Sequence, residues 1–221
     1  MVFAYVRLHQ TLAPKAQSSR VYKLLLPSAD GNHDFTIQNR GHWFFTPPGS
    51  AIMSLSDMVD RYHATVGRNG VIEVDFAVNR DGVVQAEHAA LYKAFGDWLR
   101  GCYGGAPTFA DQALVNTSAV LDESAPSLVL RAATPAVLTV DRLMVQEDQA
   151  DGQRVRAFTT EALVDGEWVP FSSGHSVGNK RIDLSPKPIK ATAFRFNITA
   201  AAAWPVAITN FAAFKPCGSA L

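Results

Sequence analysis

Between Gly101 and Asp111 the chain runs GCYGGAPTFAD, and the spacing of apolar residues differs on the two sides of that stretch. Upstream they recur about every 3.6 residues, as on a helix with one buried face; downstream they alternate, as on a strand with one buried face. A run dense in Gly and Pro continues neither pattern and marks a boundary. The 221 residues therefore read as residues 1–103, a linker over 104–118, and residues 119–221. That length suits one large domain or two small ones.

In the first part, Ser54 to Gly82 is the most explicit segment. Leu55, Met58, Val59, Tyr62 and Val66 form one helical stripe, Ser54 can cap its start, and Asp57 suits the first turn. Gly67 is expected to take a left-handed conformation where the helix ends. From Val71 to Val78 the chain reads as a strand, with Ile72, Val74, Phe76 and Val78 on one face and Glu73 and Asp75 on the other; Asn79-Arg80-Asp81-Gly82 turns it. Before this segment, Val21–Leu26 reads as a buried strand, Ser28–Asp34 as a loop, Phe35–Gln38 as a second strand, and Trp43–Phe45 as an aromatic cluster closed by Pro47-Pro48. After it, Glu87–Cys102 reads as a helix with Leu91, Phe95, Trp98, Leu99 and Cys102 on one face. That order of strands and helices suits any α/β sheet, a (β/α)8 barrel included. A whole barrel takes about 250 residues, so about 100 supply only its last two or three units and leave strand edges to be covered.

In the second part, Val137–Val145, Arg154–Leu163, Glu167–Phe171, Ala191–Thr199 and Val206–Phe214 read as short strands separated by turns such as Asp165-Gly166. Phe194, Phe196 and Ile198 alternate with Arg195, Asn197 and Thr199, which argues an antiparallel β-sandwich. The expected fold is thus α/β plus all-β: the last units of a (β/α)8 barrel followed by an antiparallel sandwich of jelly-roll type.

Twenty basic and twenty acidic residues balance, so no field of one sign recruits nucleic acid or an anionic membrane. No apolar run approaches the roughly 20 residues of a membrane-spanning helix, and the first residues lack the apolar core of a secretory signal. Cys102 and Cys217 could join in a disulfide or stay as two buried thiols; the thiols are the expectation. Asn116-Thr117-Ser118 and Asn197-Ile198-Thr199 are glycosylation acceptors in a secreted chain. There is no His-x-x-x-His zinc helix or Gly-rich phosphate loop, and neither metal nor organic cofactor is expected. His63 reads as a solvated histidine on the polar face of its helix.

Asp60-Arg61-Tyr62-His63-Ala64-Thr65-Val66-Gly67-Arg68-Asn69-Gly70, the strand after it and Asn79-Arg80-Asp81-Gly82 resemble the late-barrel signature of the α-L-fucosidases of glycoside hydrolase family 29. His42-Trp43-Phe44-Phe45-Thr46-Pro47-Pro48 is similar to that family's Trp-Phe-Tyr/Trp-His-Pro stretch, and Leu91 to Leu99 to its Leu-x-x-Phe-Gly-Glu-Trp-Leu helix. More loosely, Val145 to Val155 and Gly174 to Ile182 resemble its C-terminal jelly-roll-type domain.

The resemblance implies a retaining hydrolase of terminal α-L-fucose, in which one carboxylate attacks the anomeric carbon and a second carboxyl serves as acid and then base, the two about 5 to 5.5 Å apart. The family's nucleophile lies on a strand upstream of everything matched, so the chain alone is expected to be inactive. Asn32 stands at the family's acid/base position, where an amide cannot exchange the proton, so no catalytic residue is expected there, Asp34 or Asp30 being the alternative. Trp43 is the candidate to pack against a sugar ring, with barrel core as its other reading, and His42 and Arg40 are candidates to bond its hydroxyls; Phe44 and Phe45 are expected in the core. Glu73 and Asp75 either face a polar barrel mouth or pair with Arg80 or Lys93, the ion pair being the expectation. The implied partners are a fucosylated glycan and the rest of a barrel or another subunit. A non-catalytic glycan-binding or structural subunit is the alternative. Family members are extracellular or lysosomal.

Overall fold

The computed structural model describes residues 4–7, 34–38, 42–104, 114–132 and 136–217. The expected strand at 21–26, together with Asp30, Asn32 and Arg40, lies outside them. Helix α1 (Leu55–Thr65) starts at the expected cap: Ser54 Oγ accepts the Asp57 amide at 3.1 Å, and the Asp57 carboxylate accepts the Ser54 amide at 2.9 Å. Such a reciprocal cap contributes about 1 kcal/mol. Met58 and Tyr62 are buried, as is Val66 just past the end. Gly67 does not take the left-handed conformation expected of it; it permits close approach instead, since a Cβ there would sit 2.5 Å from the His63 carbonyl oxygen. Asn69 turns the chain, at φ 68°, which a short polar side chain tolerates.

Strands β1 (Ala4–Arg7), β2 (Asp34–Thr36) and β3 (Glu73–Phe76) form one sheet in the order β1-β3-β2. The β2–α1–β3 run is a parallel βαβ unit. β1 pairs antiparallel with β3 and covers an edge that a two-unit remnant would leave bare. Helix α2 (Ala86–Tyr103) follows, burying Leu91, Phe95, Leu99, Cys102 and Tyr103.

The second part is a sandwich of eight strands: β4 (Val115–Leu121), β5 (Ser127–Arg131), β6 (Leu138–Glu147), β7 (Val155–Val164), β8 (Glu167–Gly174), β9 (Arg181–Ala191), β10 (Ala193–Ala201) and β11 (Val206–Phe214). Its sheets run β5-β10-β7-β8 and β4-β11-β6-β9, antiparallel throughout. β4 begins at Val115, inside the stretch read as linker. Phe158, Phe194, Phe196 and Phe211 fill the space between the sheets with Leu143 and Val145.

The β4-β11-β6-β9 sheet is buried on both faces. Leu143, Val145 and Phe211 point into the sandwich, whereas their neighbours Met144, Ala212 and Phe214 join Ile182, Tyr62, Phe95 and Tyr103 in a second core beneath the helices. That accounts for the unbroken Leu143-Met144-Val145 run, since a strand covered on both sides has no polar face to alternate with. The helices and the small β1-β3-β2 sheet therefore share one core with the outer face of the sandwich. Cys102 at the end of α2 and Cys217 after β11 are joined in a disulfide, with Cα atoms 5.4 Å apart, and the expectation of two thiols is corrected. Helix packing on this sheet brings the two ends within bonding range.

Candidate functional site

Strand alternation sorts β2 and β3 into two faces. Phe35, Ile37, Ile72 and Val74 pack into the core beneath the helices. Asp34, Thr36, Gln38, Glu73 and Asp75 fall on the opposite side, where the parallel register sets Asp34 beside Glu73 and Thr36 beside Asp75. Asp75 is only 9% exposed, and its buried Oδ1 has no hydrogen-bond partner among the described residues. Burial, then the neighbouring Asp34 and Glu73 carboxylates, push its carboxyl above the usual range. The ion pair expected here does not form among the described residues: Lys93 binds Asp97 at 2.6 Å, and Arg80 is exposed. Of the two readings of Glu73 and Asp75, the polar face remains.

Beyond β2 the chain rises into a loop bearing three aromatic side chains. Trp43 is 39% exposed, Phe44 60% and Phe45 41%, so the expectation of core for Phe44 and Phe45 is overturned. What holds them out is a buried amide beneath. Gln38 Nε2 donates to the His42 carbonyl at 2.6 Å and the Phe44 carbonyl at 3.0 Å, and Gln38 Oε1 accepts from the Thr46 hydroxyl at 2.5 Å. Met53 N donates to the Ile37 carbonyl at 2.8 Å, closing the neck of the loop. Gln85, at the start of α2, donates its Nε2 to the Thr46 carbonyl, and Gly49 N reaches the Glu87 carboxylate at 3.3 Å. His42 and Trp43 thus share one fixed, exposed edge at the C-terminal end of β2.

Asp34 opens β2 at the other end, four residues before Gln38. It thus lies at the end of β2 away from the aromatic loop. Among the described residues no group of three or more His, Cys, Asp or Glu is placed to hold a metal ion. No described helix is long and apolar enough to cross a membrane.

Two further features behave differently from the sequence reading. His63 is not solvated: its Nε2 lies 2.6 Å from the Tyr103 hydroxyl, its ring is edge-on to Tyr62 and Trp98, and burial, followed by the Arg142 and Arg68 charges, lowers its pKa to about 4. The segment after α1, which carries the family-like Val-Gly-Arg-Asn, docks onto the sandwich. Arg68 binds the buried Asp183 at 2.6 Å, Asn69 N donates to the Lys180 carbonyl at 2.8 Å, and Asn69 Oδ1 accepts the Asn179 amide at 2.6 Å. Gly178, at φ 65°, lies so close that any Cβ would overlap the Asn69 carboxamide. That motif is a clip between layers.

No protein-family model and no curated protein matches the chain. Solved structures do. A provisionally assigned α-L-fucosidase from Bacteroides thetaiotaomicron VPI-5482 is 28% identical over 83% of this chain and 40% of its own, with TM-score 0.72. Another, from Bacteroides ovatus ATCC 8483, is 25% identical over 81% of this chain and 29% of its own, with TM-score 0.67. A Ruminococcus gnavus family 29 fucosidase solved in complex with fucose shares the fold at 16% identity and TM-score 0.70, over 84% of this chain and 41% of its own. The match falls on the C-terminal part of the family 29 α-L-fucosidases, and this chain spans well under half the length of those neighbours.

Proposed function

We propose that this chain, similar in fold to the C-terminal part of the family 29 α-L-fucosidases, supplies one wall of an α-L-fucose-binding site in a retaining glycosidase. The observation that carries the reading is the loop over Gln38, which holds Trp43 and His42 exposed at the C-terminal end of a parallel strand, the end where barrel enzymes bind substrate. Trp43 offers an apolar face to the C–H side of the pyranose and His42 hydrogen bonds to its hydroxyls, with Arg40 as a further hydrogen-bonding partner.

In this reading residues 1–103 are the end of the barrel, the stretch up to residue 114 the linker and the chain from Val115 onward the sandwich. Bond cleavage needs two carboxyls about 5 to 5.5 Å apart across the glycosidic bond. Asn32 cannot serve as acid or base, and the strand that bears the nucleophile in the resembling family has no counterpart in this sequence. The chain on its own binds fucosides without hydrolysing them, and hydrolysis belongs to a barrel completed by other strands. A glycan-binding subunit without catalysis is the second reading, favoured by Asn32 at the acid/base position and by Asp34 lying at the end of β2 away from the aromatic loop.

Titrating the chain with L-fucose while following ligand NMR signals, and assaying release of an aryl group from an aryl α-L-fucoside, tests both. Binding that Trp43→Ala abolishes, with no hydrolysis, is expected. Hydrolysis by the 221-residue chain alone refutes the account of the missing nucleophile; absence of any fucose binding refutes the site. Hydrolysis that appears when a complementary N-terminal barrel portion is added separates the first reading from the second.

A further inference from the structure

We infer that Gln38 is the positioning residue of the sugar-binding loop, a role that rests on the fucose-site reading above. Gln38 is 1% exposed, and its side-chain amide meets the backbone carbonyls of His42 and Phe44 and the hydroxyl of Thr46. Those three anchors fall on alternate residues and bracket Trp43 and Phe45. With the backbone of residues 42 and 44 and the Thr46 hydroxyl tied inward, the exposed side chains of His42, Trp43, Phe44 and Phe45 are held in place at the surface.

The chemistry requires this side chain. Two carbonyls and one hydroxyl converge on a single planar group, which must therefore supply two N–H donors and one acceptor from the end of a short stem. Glutamate has the same shape but, ionised, sets carboxylate oxygen against two carbonyl oxygens. Leucine fills the space and leaves all three partners without a bond. Gln38 is itself fixed: its backbone N–H donates to Thr36 Oγ1 at 3.2 Å and its backbone bridges to Ile52 across the neck. Residues 42–46 thus meet the ligand already held in place, and the entropy of fixing them is not charged to binding.

The test compares wild type, Gln38→Glu and Gln38→Leu in L-fucose affinity from pH 4 to pH 8, with thermal unfolding and amide exchange at residues 42–46 measured on the same samples. Both variants are expected to bind at least tenfold more weakly at pH 7 while still folded, with faster exchange at Trp43 and Phe45. Gln38→Glu should regain affinity as pH falls, because the protonated acid donates one hydrogen bond and accepts another; Gln38→Leu should not. If the Gln38→Leu substitution prevents folding, the pH profile of Gln38→Glu decides alone. Wild-type affinity in a folded Gln38→Glu at every pH overturns the inference. Failure of the wild type to bind L-fucose overturns the fucose site first, and this role with it, so the two failures are told apart by the wild-type titration.

Discussion

Replacing Cys102 and Cys217 together by Ala should cost this chain about 4 kcal/mol of stability. The bond closes a loop of 115 residues. In the chain-entropy model the cross-link removes about 2.1 + 1.5R ln 115, or about 16 cal/mol/K, from the unfolded state, which is about 4.8 kcal/mol at 25 °C. Measured losses for native disulfides run from about 2 to 5 kcal/mol, so about 4 kcal/mol is the working figure. With a guanidinium m-value of about 4 kcal/mol/M, the unfolding midpoint should fall by about 1 M. Tryptophan fluorescence of the oxidised protein, the reduced protein and the double variant measures it. The reduced protein and the variant should coincide, both far below the oxidised form, with a steeper transition because the unlinked unfolded chain exposes more surface. Coincident midpoints for all three would refute the reasoning, since a closed 115-residue loop cannot leave the unfolded ensemble unchanged.

Gly178→Ala should destabilise by about 2 kcal/mol or more, because its Cβ overlaps the Asn69 carboxamide and its φ is 65°; in an Asn69→Ala background part of that loss should vanish, which a double-mutant cycle by urea unfolding reads directly. His63, with its pKa lowered to about 4 from 6.5, must gain a proton on unfolding between those values. Stability is therefore whole above about pH 6.5 and declines as pH falls through 4, by about 3 kcal/mol at the limit; His63→Gln should flatten that decline in urea unfolding at successive pH values. Asp75 works in the opposite sense. Its raised pKa makes ionisation costly to the fold, so its penalty is absent in acid and grows as pH rises through the carboxylate range. Asp75→Asn should raise the melting temperature at pH 7 and change little at pH 3; equal shifts at the two pH values would count against the buried charge.

Much of this architecture was legible because local chemistry and tertiary packing agree. Ser54 and Asp57 form the cap their spacing announced, and Val206–Phe214 is a strand over the expected residues. β9 was missed because Pro186 and Pro188 argue against a strand; it lies at a sheet edge, and its pairing with β6 skips a step between Val140 and Arg142, where prolines are tolerated. β4 and β5 are short edge strands with weak patterns. His63 and the disulfide were misjudged for one reason: both depend on how α1 and α2 lie on the β4-β11-β6-β9 sheet, which no local spacing encodes. In the candidate site the aromatic run was visible, but its exposure was not, since exposure is set by Gln38, and a lone Gln after a strand carries no signal.

The sheet that is buried on both faces makes the boundary seen in the sequence one that cannot be cut along. Met144, Ile182, Ala212 and Phe214 would meet water if the sandwich were produced without the helices, and Met58, Tyr62 and Phe95 would do so in the reverse case. Severing the backbone between residues 105 and 113 would give two pieces that travel together on a non-reducing gel, joined by Cys102 and Cys217, and that stay associated through their shared core after reduction. Dissection by shortening the gene is therefore the wrong instrument for this protein: either half, made alone, is a sticky remnant, and questions about one layer are better put to point variants of the whole.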